Sequence, residues 1–564
     1  MKKRIIYIII LCACFIGSIV AQDTVLNRNV TVEREFQPVI QSAGKVNQQP
    51  ATLEVNIEPA HVTYSEYSSI LTPDFNLSGL PSQPTTFKHG EPLHGLLRGA
   101  IGHPQTLFDF EYRFDDSRNS LLDVYAHHKA QWGRKANSLT TIGFDYTHIF
   151  PKMDLYFGVE GGNRYYTRYG RYYESDNRLS IRKASQLQKD DKVKIWNADI
   201  YIGVRANKKQ DLQYMAEVGY RLLHLSDMMS EHHLRTKAQL EWTGGIHHGG
   251  LNFRMDNMIF SADEAFMPKS TYHPRHAMRI EPFYAYYGKR FMIHLGVNLD
   301  MNIGKGKQLS GNKNISFAPS PNIFFEAQIA KEWVTVYGKV IGQHGLCSLE
   351  AELDANPYYD IAARVQSEHV SSYTPLDAEL GFHLRPQKNL LMEIHAGYAY
   401  MLNATAMLAT IDLTNPNKML MDYNKAYFDY MRFKIGAAFS YHYQDIVTIH
   451  LWGDYYAWKK GTIYDRPAWE LGLRVDGRID RNWSLYSDNH FLGSRNALVM
   501  RGGVAEDHKL KPTIDVNLGC KYEWPELNLE FFMQLNNIIC RHNDVFYGYQ
   551  TIGINGLAGV TWRF

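Results

Sequence analysis

Thirteen consecutive residues, Phe291–Ile303, alternate between apolar side chains and polar or small ones. The odd positions are Phe291, Ile293, Leu295, Val297, Leu299, Met301 and Ile303; between them stand Met292, His294, Gly296, Asn298, Asp300 and Asn302. A period of two belongs to a strand with unlike faces. Strands of globular proteins average about half this length, whereas a strand crossing a bilayer at a tilt of about 45° needs roughly 9–11 residues. The alternation recurs in Ile142, Phe144, Tyr146, His148 and Phe150, in Val447, Ile449, Leu451, Gly453 and Tyr455, in Ile514, Val516, Leu518, Cys520 and Tyr522, and in Leu527, Leu529, Phe531, Met533 and Leu535. Asp145, Asp454, Asp515 and Glu530 sit on the opposite faces. A charge is costly in a dry core, so those faces are read as lining a watery lumen. The fold predicted is all-β, a transmembrane antiparallel β-barrel.

That reading reconciles two bulk properties. The mean hydropathy is −0.35, and beyond the N-terminus no stretch is apolar for long enough to cross a membrane as a helix. Yet aromatic residues make up 13% of the chain, with 37 Tyr. A barrel shows lipid only every second residue and gathers Tyr and Trp at both interfaces. The net charge of +2 and the lack of a basic cluster give no reason to expect a nucleic-acid partner.

Short turns are expected at Asp115–Asn119, Pro151-Lys152, Asn207–Asp211, Tyr287–Arg290, Lys331-Glu332, Arg385–Asn389, Tyr443–Asp445, Asp480–Asn482 and Trp524–Glu526. The longer links between them are Gly170–Lys192, Ser261–Pro274, Gly304–Pro319, His344–Thr374, Asn403–Ala426 and Gly493–Lys509. Short periplasmic turns and long outer loops are the outer-membrane arrangement. The count from His94 to Phe564 is 22 strands, with faint strands near His94 and Cys347 allowing 16 to 22. The end of the chain alternates to the last residue, with Ala558, Val560, Trp562 and Phe564 on one face. A closing amphipathic strand ending on an aromatic resembles the signal by which outer-membrane proteins are recognised for insertion.

Met1-Lys2-Lys3-Arg4 precedes an apolar run, Ile5–Ile16, and the small residues before Gln22. Residues 1–21 read as a secretory signal peptide cut after Ala21; a retained anchor and a lipoprotein box at Leu11-Cys12-Ala13-Cys14 are the alternatives. Cys347, Cys520 and Cys540 remain, too few and too scattered for a disulfide framework, though one disulfide is compatible with them. Residues 22–93, dotted with Pro50, Pro59, Pro73, Pro81 and Pro84, alternate poorly and read as an extended periplasmic or lumen-entering segment; the barrel is expected from 94 to 564.

Val30-Thr31-Val32-Glu33-Arg34-Glu35-Phe36-Gln37-Pro38-Val39-Ile40, Leu97-Arg98-Gly99-Ala100-Ile101-Gly102, Asn356-Pro357-Tyr358 and the terminal Phe564 resemble a family of Bacteroidetes outer-membrane proteins, the TonB-dependent-receptor-like barrels. The resemblance implies a large outer-membrane barrel related to transporters, embedded in outer-membrane lipid. It brings TonB and a surface lipoprotein or other envelope protein into consideration as partners. The chain departs from the pattern in one respect: residues 22–93 are much shorter than a folded plug, and Val30-Thr31-Val32 alone stands where a TonB box would be sought.

The chain carries no HExxH, GxSxG or Gly-rich phosphate loop. Accordingly no catalytic, cofactor-binding or metal-ligating residues are expected, and the protein is not expected to be an enzyme. Two His-x-Ser pairs, His224-Leu225-Ser226 and His369-Val370-Ser371, have the form used by outer-membrane phospholipases, which makes a membrane hydrolase the weakest of three readings. The doublets His127-His128, His232-His233 and His247-His248 cannot each place two ligands on one ion, because neighbouring strand residues point to opposite faces. The stretch Arg164–Tyr173 reads as an aromatic girdle running into an outer loop, with carbohydrate stacking as the alternative. The leading reading is a transporter or channel for an unidentified solute; the second is a non-conducting scaffold that binds other envelope proteins.

Overall fold

The computed structural model describes residues 94–115, 119–133, 135–170, 191–207, 211–226, 228–262, 273–304, 315–330, 333–345, 348–359, 371–411, 422–444, 446–501 and 503–564. The expected signal peptide and segment 22–93 lie outside them, as do His369 and Cys347. The strands are β1 (Gly95–His103), β2 (Gln105–Asp115), β3 (Ser120–Gln131), β4 (Asn137–Ile149), β5 (Met153–Arg168), β6 (Asp191–Ala206), β7 (Leu212–Leu225), β8 (Met229–Gly244) and β9 (His247–Ala262). Next come β10 (Arg275–Tyr287), β11 (Phe291–Gly304), β12 (Ile315–Ala330), β13 (Val334–Gly345), β14 (Ser372–Gln387), β15 (Leu390–Ile411), β16 (Asp422–Tyr443), β17 (Val447–Lys459), β18 (Trp469–Arg478) and β19 (Trp483–Leu492). The last are β20 (Arg495–Arg501), β21 (Val504–Leu510), β22 (Thr513–Trp524), β23 (Leu529–Asn536), β24 (Asp544–Phe546), β25 (Tyr549–Gln550) and β26 (Asn555–Arg563). One α-helix is described, α1 (Leu349–Ala355), between β13 and β14.

From β1 to β19 each strand pairs antiparallel with the next; the ladder then passes to β22, β23 and β26, which returns to β1. The sheet holds 24 strands, and β20 and β21 branch off the ring, which leaves a closed antiparallel barrel of 22. Closure leaves no unpaired edge to face lipid. The last seam is tied at the chain end, where the Phe564 carbonyl accepts from the amides of His94 and Gly95 at 2.8 and 2.7 Å.

The alternating faces sort as expected. Ile101, Ile142, Ile200, Val297, Leu471 and Met533 are exposed on the outer surface, while Asn298, Asp300 and Asn302 on alternate positions of β11 are buried on the inside. No helix among the described residues is long and apolar enough to cross a membrane, so the crossing is made by strands. Exposed Trp242, Trp333, Trp483, Trp524 and Trp562 mark the short-turn end, and Trp132, Trp196 and Trp469 mark the other. Such paired girdles are what the two interfaces of a bilayer select. The chain is an outer-membrane barrel, with its short turns on the periplasmic side.

Several sequence boundaries need correction. The nine expected short turns are joined by a tenth, Gly245-Ile246 between β8 and β9, where Gly245 has a φ of +69°. At the outer end, β1 and β2 are joined by Pro104 alone and β7 and β8 by residues 226–228, so outer links are not uniformly long. Gly304–Pro319 is a shorter loop than expected because β12 begins at Ile315. Pro319 and Pro321 lie in that strand where it pairs with β11 but has not yet met β13, whose register starts at Asn322. One edge there needs no amide, which is where strand prolines are tolerated. Asn403–Ala426 is largely strand rather than loop, since β15 and β16 are each 22 residues long. Gly493–Lys509 contains the hairpin β20–β21. Near Cys347 strand β13 ends at Gly345, and α1 follows from Leu349.

Candidate functional site

The inner wall is a mesh of cross-strand ion pairs. Asp199 on β6 receives both Arg221 of β7 and Arg235 of β8. Glu281 on β10 is held by Asn252 at 3.0 Å, Asn322 at 2.6 Å and His294 at 3.3 Å. Glu379 on β14 binds Lys339 and Lys434, and His395 on β15 meets Asp454 of β17 at 2.7 Å. Tyrosines span the gaps: Tyr125 donates to Glu160 at 3.0 Å, Tyr337 to Glu393 at 2.6 Å, Tyr201 to Asp145 and Tyr456 to Glu470. Glycines stand against three of these rings, Gly143 at Tyr125, Gly381 at Tyr337 and Gly158 at Tyr201. A Cβ at Gly158 would come within 2.4 Å of the Tyr201 ring, and one at Gly519 within 2.2 Å of Tyr486. Aromatic cover over cross-strand glycine is a recognised sheet device. The wall thus presents fixed, paired charges on its inner face.

The outer mouth is built differently. Register puts Tyr166, Ile195, Leu223, Leu225 and Glu231 on the same inward face as Asp199 and Arg221. Against this inner face lies α1. Ser348 caps the helix by accepting the Ala351 amide at 3.1 Å, and Glu350 and Glu352 occupy its first turn, where the helix dipole favours acids. Leu349 and Leu353, four apart and so on one side of the helix, are fully buried with Tyr166, Val193, Ile195, Leu223, Leu225 and Met229. Glu350 pairs with Arg221, Asp354 with Arg164 at 2.5 Å, and Glu352 with Lys425 of β16 at 2.6 Å. The helix therefore stands between the β5–β8 wall and β16. Arg168 donates to the Tyr359 carbonyl at 2.8 Å, and the Leu349 amide donates to Glu231 at 2.5 Å.

Other outer links complete the cover. Between β23 and β26, Tyr549 stacks on Tyr358 with ring centroids 3.6 Å apart, and Phe546 packs beside them. Tyr169 donates to the Gln550 carbonyl at 2.9 Å, Lys135 donates to the same carbonyl at 2.7 Å, and Tyr423 donates to the Tyr547 carbonyl. Burial pushes the Tyr358 phenol well above its ordinary pKa. β20 runs parallel to the outer end of β15, pairing Leu408 with Leu498 through Ile411 with Arg501. Met407, Ala409 and Val499 face α1 and its neighbours, while Ala406 and Leu498 bury the other side against Tyr464. Beneath that sheet the Asp465 carboxylate accepts the Met407 amide at 2.7 Å. Burial raises Asp465 to about 6, against the pull of that amide and of Arg495 and Arg466.

The residues singled out from sequence fall as follows. Each His doublet splits between faces: His127, His233 and His248 reach Asp109, Asp256 and Glu241 inside, while His128, His232 and His247 bond Thr140, Tyr220 and Tyr284 on the outside. No group of three or more His, Cys, Asp or Glu suited to a metal occurs among the described residues. His224, of the first His-x-Ser pair, bonds Ser230 of the next strand at 2.8 Å. Ser371, 3.0 Å from His344 Nε2, is buried together with that imidazole and with Ser316. Cys520 and Cys540 are free thiols. Tyr166 and Tyr169 turn into the mouth's core, which corrects the girdle reading of that stretch at those two positions. Sequence reasoning missed α1 altogether, although Ser348-Leu349-Glu350-Ala351-Glu352 carries an N-cap followed by first-turn acids.

No known family profile matches the sequence, and no curated protein matches it. The fold does have solved counterparts. A ferric enterobactin receptor mutant of Pseudomonas aeruginosa bound to enterobactin superposes with a TM-score of 0.63 at 10% identity, over 85% of this chain and 82% of that one. The FrpB iron transporter of Neisseria meningitidis gives 0.65 at 8% identity, over 84% and 82%. The copper transporter OprC gives 0.63 at 10% identity, over 84% and 80%. At these identities the likeness is one of fold.

Proposed function

We propose that this outer-membrane barrel is a transporter that moves a solute inward through its lumen, with the packed outer loops as the outer gate. The observation that carries the reading is a ring of 22 strands whose inward face is polar and ionised, beneath a mouth covered by α1 and its neighbours. The named counterparts are receptors and transporters for an iron chelate, iron and copper, which supports transport while leaving the solute open. In this reading residues 1–21 are removed on export, residues 22–93 are a candidate partial plug, and Val30-Thr31-Val32 is the stretch to test for engagement of TonB. The likeness to TonB-dependent-receptor-like barrels of Bacteroidetes belongs to the same proposal.

One observation favours the scaffold reading. The described part of the mouth holds a hydrophobic core including Leu349, Tyr358, Tyr423, Phe546 and Tyr549, which suits a barrel serving as a platform for an envelope protein or surface lipoprotein. Single-channel recording in planar bilayers separates the two. A chain lacking residues 22–93 is expected to conduct more than the parent. If both fold and neither conducts under any applied voltage, the transport reading fails and affinity capture from native membrane becomes the informative experiment.

A further inference from the structure

The ten short turns on the periplasmic side differ in charge around the ring. The six from β4 to β15 carry seven Lys or Arg and two acids, whereas the four from β16 round to β3 carry two Arg and four acids. Strand ends do not blur the contrast: Arg205 pairs with Asp154 on the first arc, and Arg563 with Glu530 on the second. Of the other Asp, Glu, Lys and Arg within two residues of these turns, all three, Asp115, Glu523 and Arg478, lie on the second arc. The next carboxylates up the strands of the first arc, Glu241, Glu326 and Glu393, are on the inward face. Lys152, Lys289, Arg290 and Lys388 are the described cations of the first arc's turns, and all four are exposed. Beside them, at the same end of the barrel, Trp242, Ile246, Phe291, Ile329 and Trp333 are exposed as well.

A cation just past the lipid-facing girdle lies at headgroup level, where the stem of Lys or Arg stays on apolar surface and its charged end meets phosphate. Twelve neighbouring strands spaced about 4.8 Å apart make an arc of roughly 50 Å, one turn deep. That long curved line on the barrel's flank has the shape of a row of lipid headgroups, not of one acidic domain. We propose that the β4–β15 side of the periplasmic rim is a docking surface for inner-leaflet phospholipids with a net negative headgroup, and that the β16–β3 side disfavours them. The inference is independent of what the lumen carries.

The test uses the whole chain in vesicles of zwitterionic phosphatidylcholine, with spin-labelled phosphatidylglycerol, whose headgroup is anionic, as the probe. Its association constant is read relative to that of spin-labelled phosphatidylcholine. The parent is expected to prefer the anionic lipid roughly threefold or more. The variant Lys152→Gln, Lys289→Gln, Arg290→Gln, Lys388→Gln is expected to lose most of that preference, and Arg478→Gln with Arg481→Gln to keep it. Folding is checked by resistance to unfolding in SDS without heating. Salt at about 1 M, where the Debye length is about 3 Å, should weaken the parent's preference too, which tests the charges without any substitution. Brominated phosphatidylglycerol, compared with brominated phosphatidylcholine, then locates the lipid. It should quench tryptophan fluorescence more in a chain with Trp483→Phe, Trp524→Phe and Trp562→Phe than in one with Trp242→Phe and Trp333→Phe. A parent without preference, which would leave an acidic protein as the occupant, overturns the proposal. So does a preference untouched in the folded quadruple variant, or equal quenching in the two tryptophan-depleted chains. A preference erased by excess soluble glycerol phosphate assigns the cations to a free phosphate ligand and overturns it as well.

Discussion

The wall and the mouth of this barrel are stabilised by different rules. In the wall, each residue's surroundings follow from its parity: Val297 faces lipid and Asn298 faces the lumen because they are neighbours on one strand. Above it, the β15–β16 extension buries both faces at once, Met407 and Ala409 toward α1 and Ala406 toward Tyr464. Local alternation governs where one side is lipid and the other water. It loses its meaning where both sides are protein. The wall should therefore tolerate loss of the mouth, and the mouth should fail by single contacts.

The largest expected effect breaks the mouth alone. Lys425 and Glu352 are both nearly excluded from solvent, and removing one partner of such a buried pair costs about 3–5 kcal/mol. Glu352→Gln should sharply raise hydrogen exchange in 348–359 while leaving exchange in the strands unchanged; equal changes in both would erase the distinction drawn here.

The converse experiment attacks the wall. Ile200 is exposed near the middle of β6, and an arginine facing the bilayer midplane costs roughly 2–4 kcal/mol. Ile200→Arg should lower the denaturant midpoint of the vesicle-inserted barrel, whereas an arginine at a loop position such as Lys511 should not.

A pH series adds a third comparison. Asp465, raised to about 6 from its ordinary 3.8, binds its proton more tightly in the closed mouth than in an open one. Its contribution is fully present below about pH 4 and is lost as pH rises through 6. The shift is worth about 2–3 kcal/mol at most. Proteolysis of the outer loops should be slower at pH 5 than at pH 8, and Asp465→Asn should flatten that difference. A pH dependence that survives the substitution would assign it elsewhere.

The smallest effect probes the wall from inside. Gly519→Val drives a side chain into the Tyr486 ring, and overpacking of this kind costs about 1–3 kcal/mol. Gly477→Val, where a Cβ meets nothing within 4 Å, is the matched control. Equal melting of the two variants would show that the tyrosines set against glycine yield easily.

How much of this was legible in the sequence follows the same division. Strand number, the two faces of β11 and β17 and most of the short turns were readable, because lipid on one side imposes a period of two on every crossing. Gly245-Ile246 escaped notice because it is flanked by Gly244, His247 and His248, which carry no apolar alternation of their own. The candidate site was not readable. Glu350, Glu352 and Asp354 look like a solvated acidic run until the fold brings Arg221, Lys425 and Arg164 to them from 129, 73 and 190 residues away. Asn356-Pro357-Tyr358 was noticed as a loop motif, but nothing local indicates that Tyr358 stacks on Tyr549.

The central claim is that the polar lumen is a conduit closed by removable parts. Its most direct test is single-channel current through a barrel that lacks residues 22–93 and has residues 348–359 replaced by a flexible linker, compared with the parent chain. The account predicts a silent or nearly silent parent and discrete, ohmic openings in the doubly altered barrel. A folded, membrane-inserted barrel that stays silent with both parts removed would contradict it.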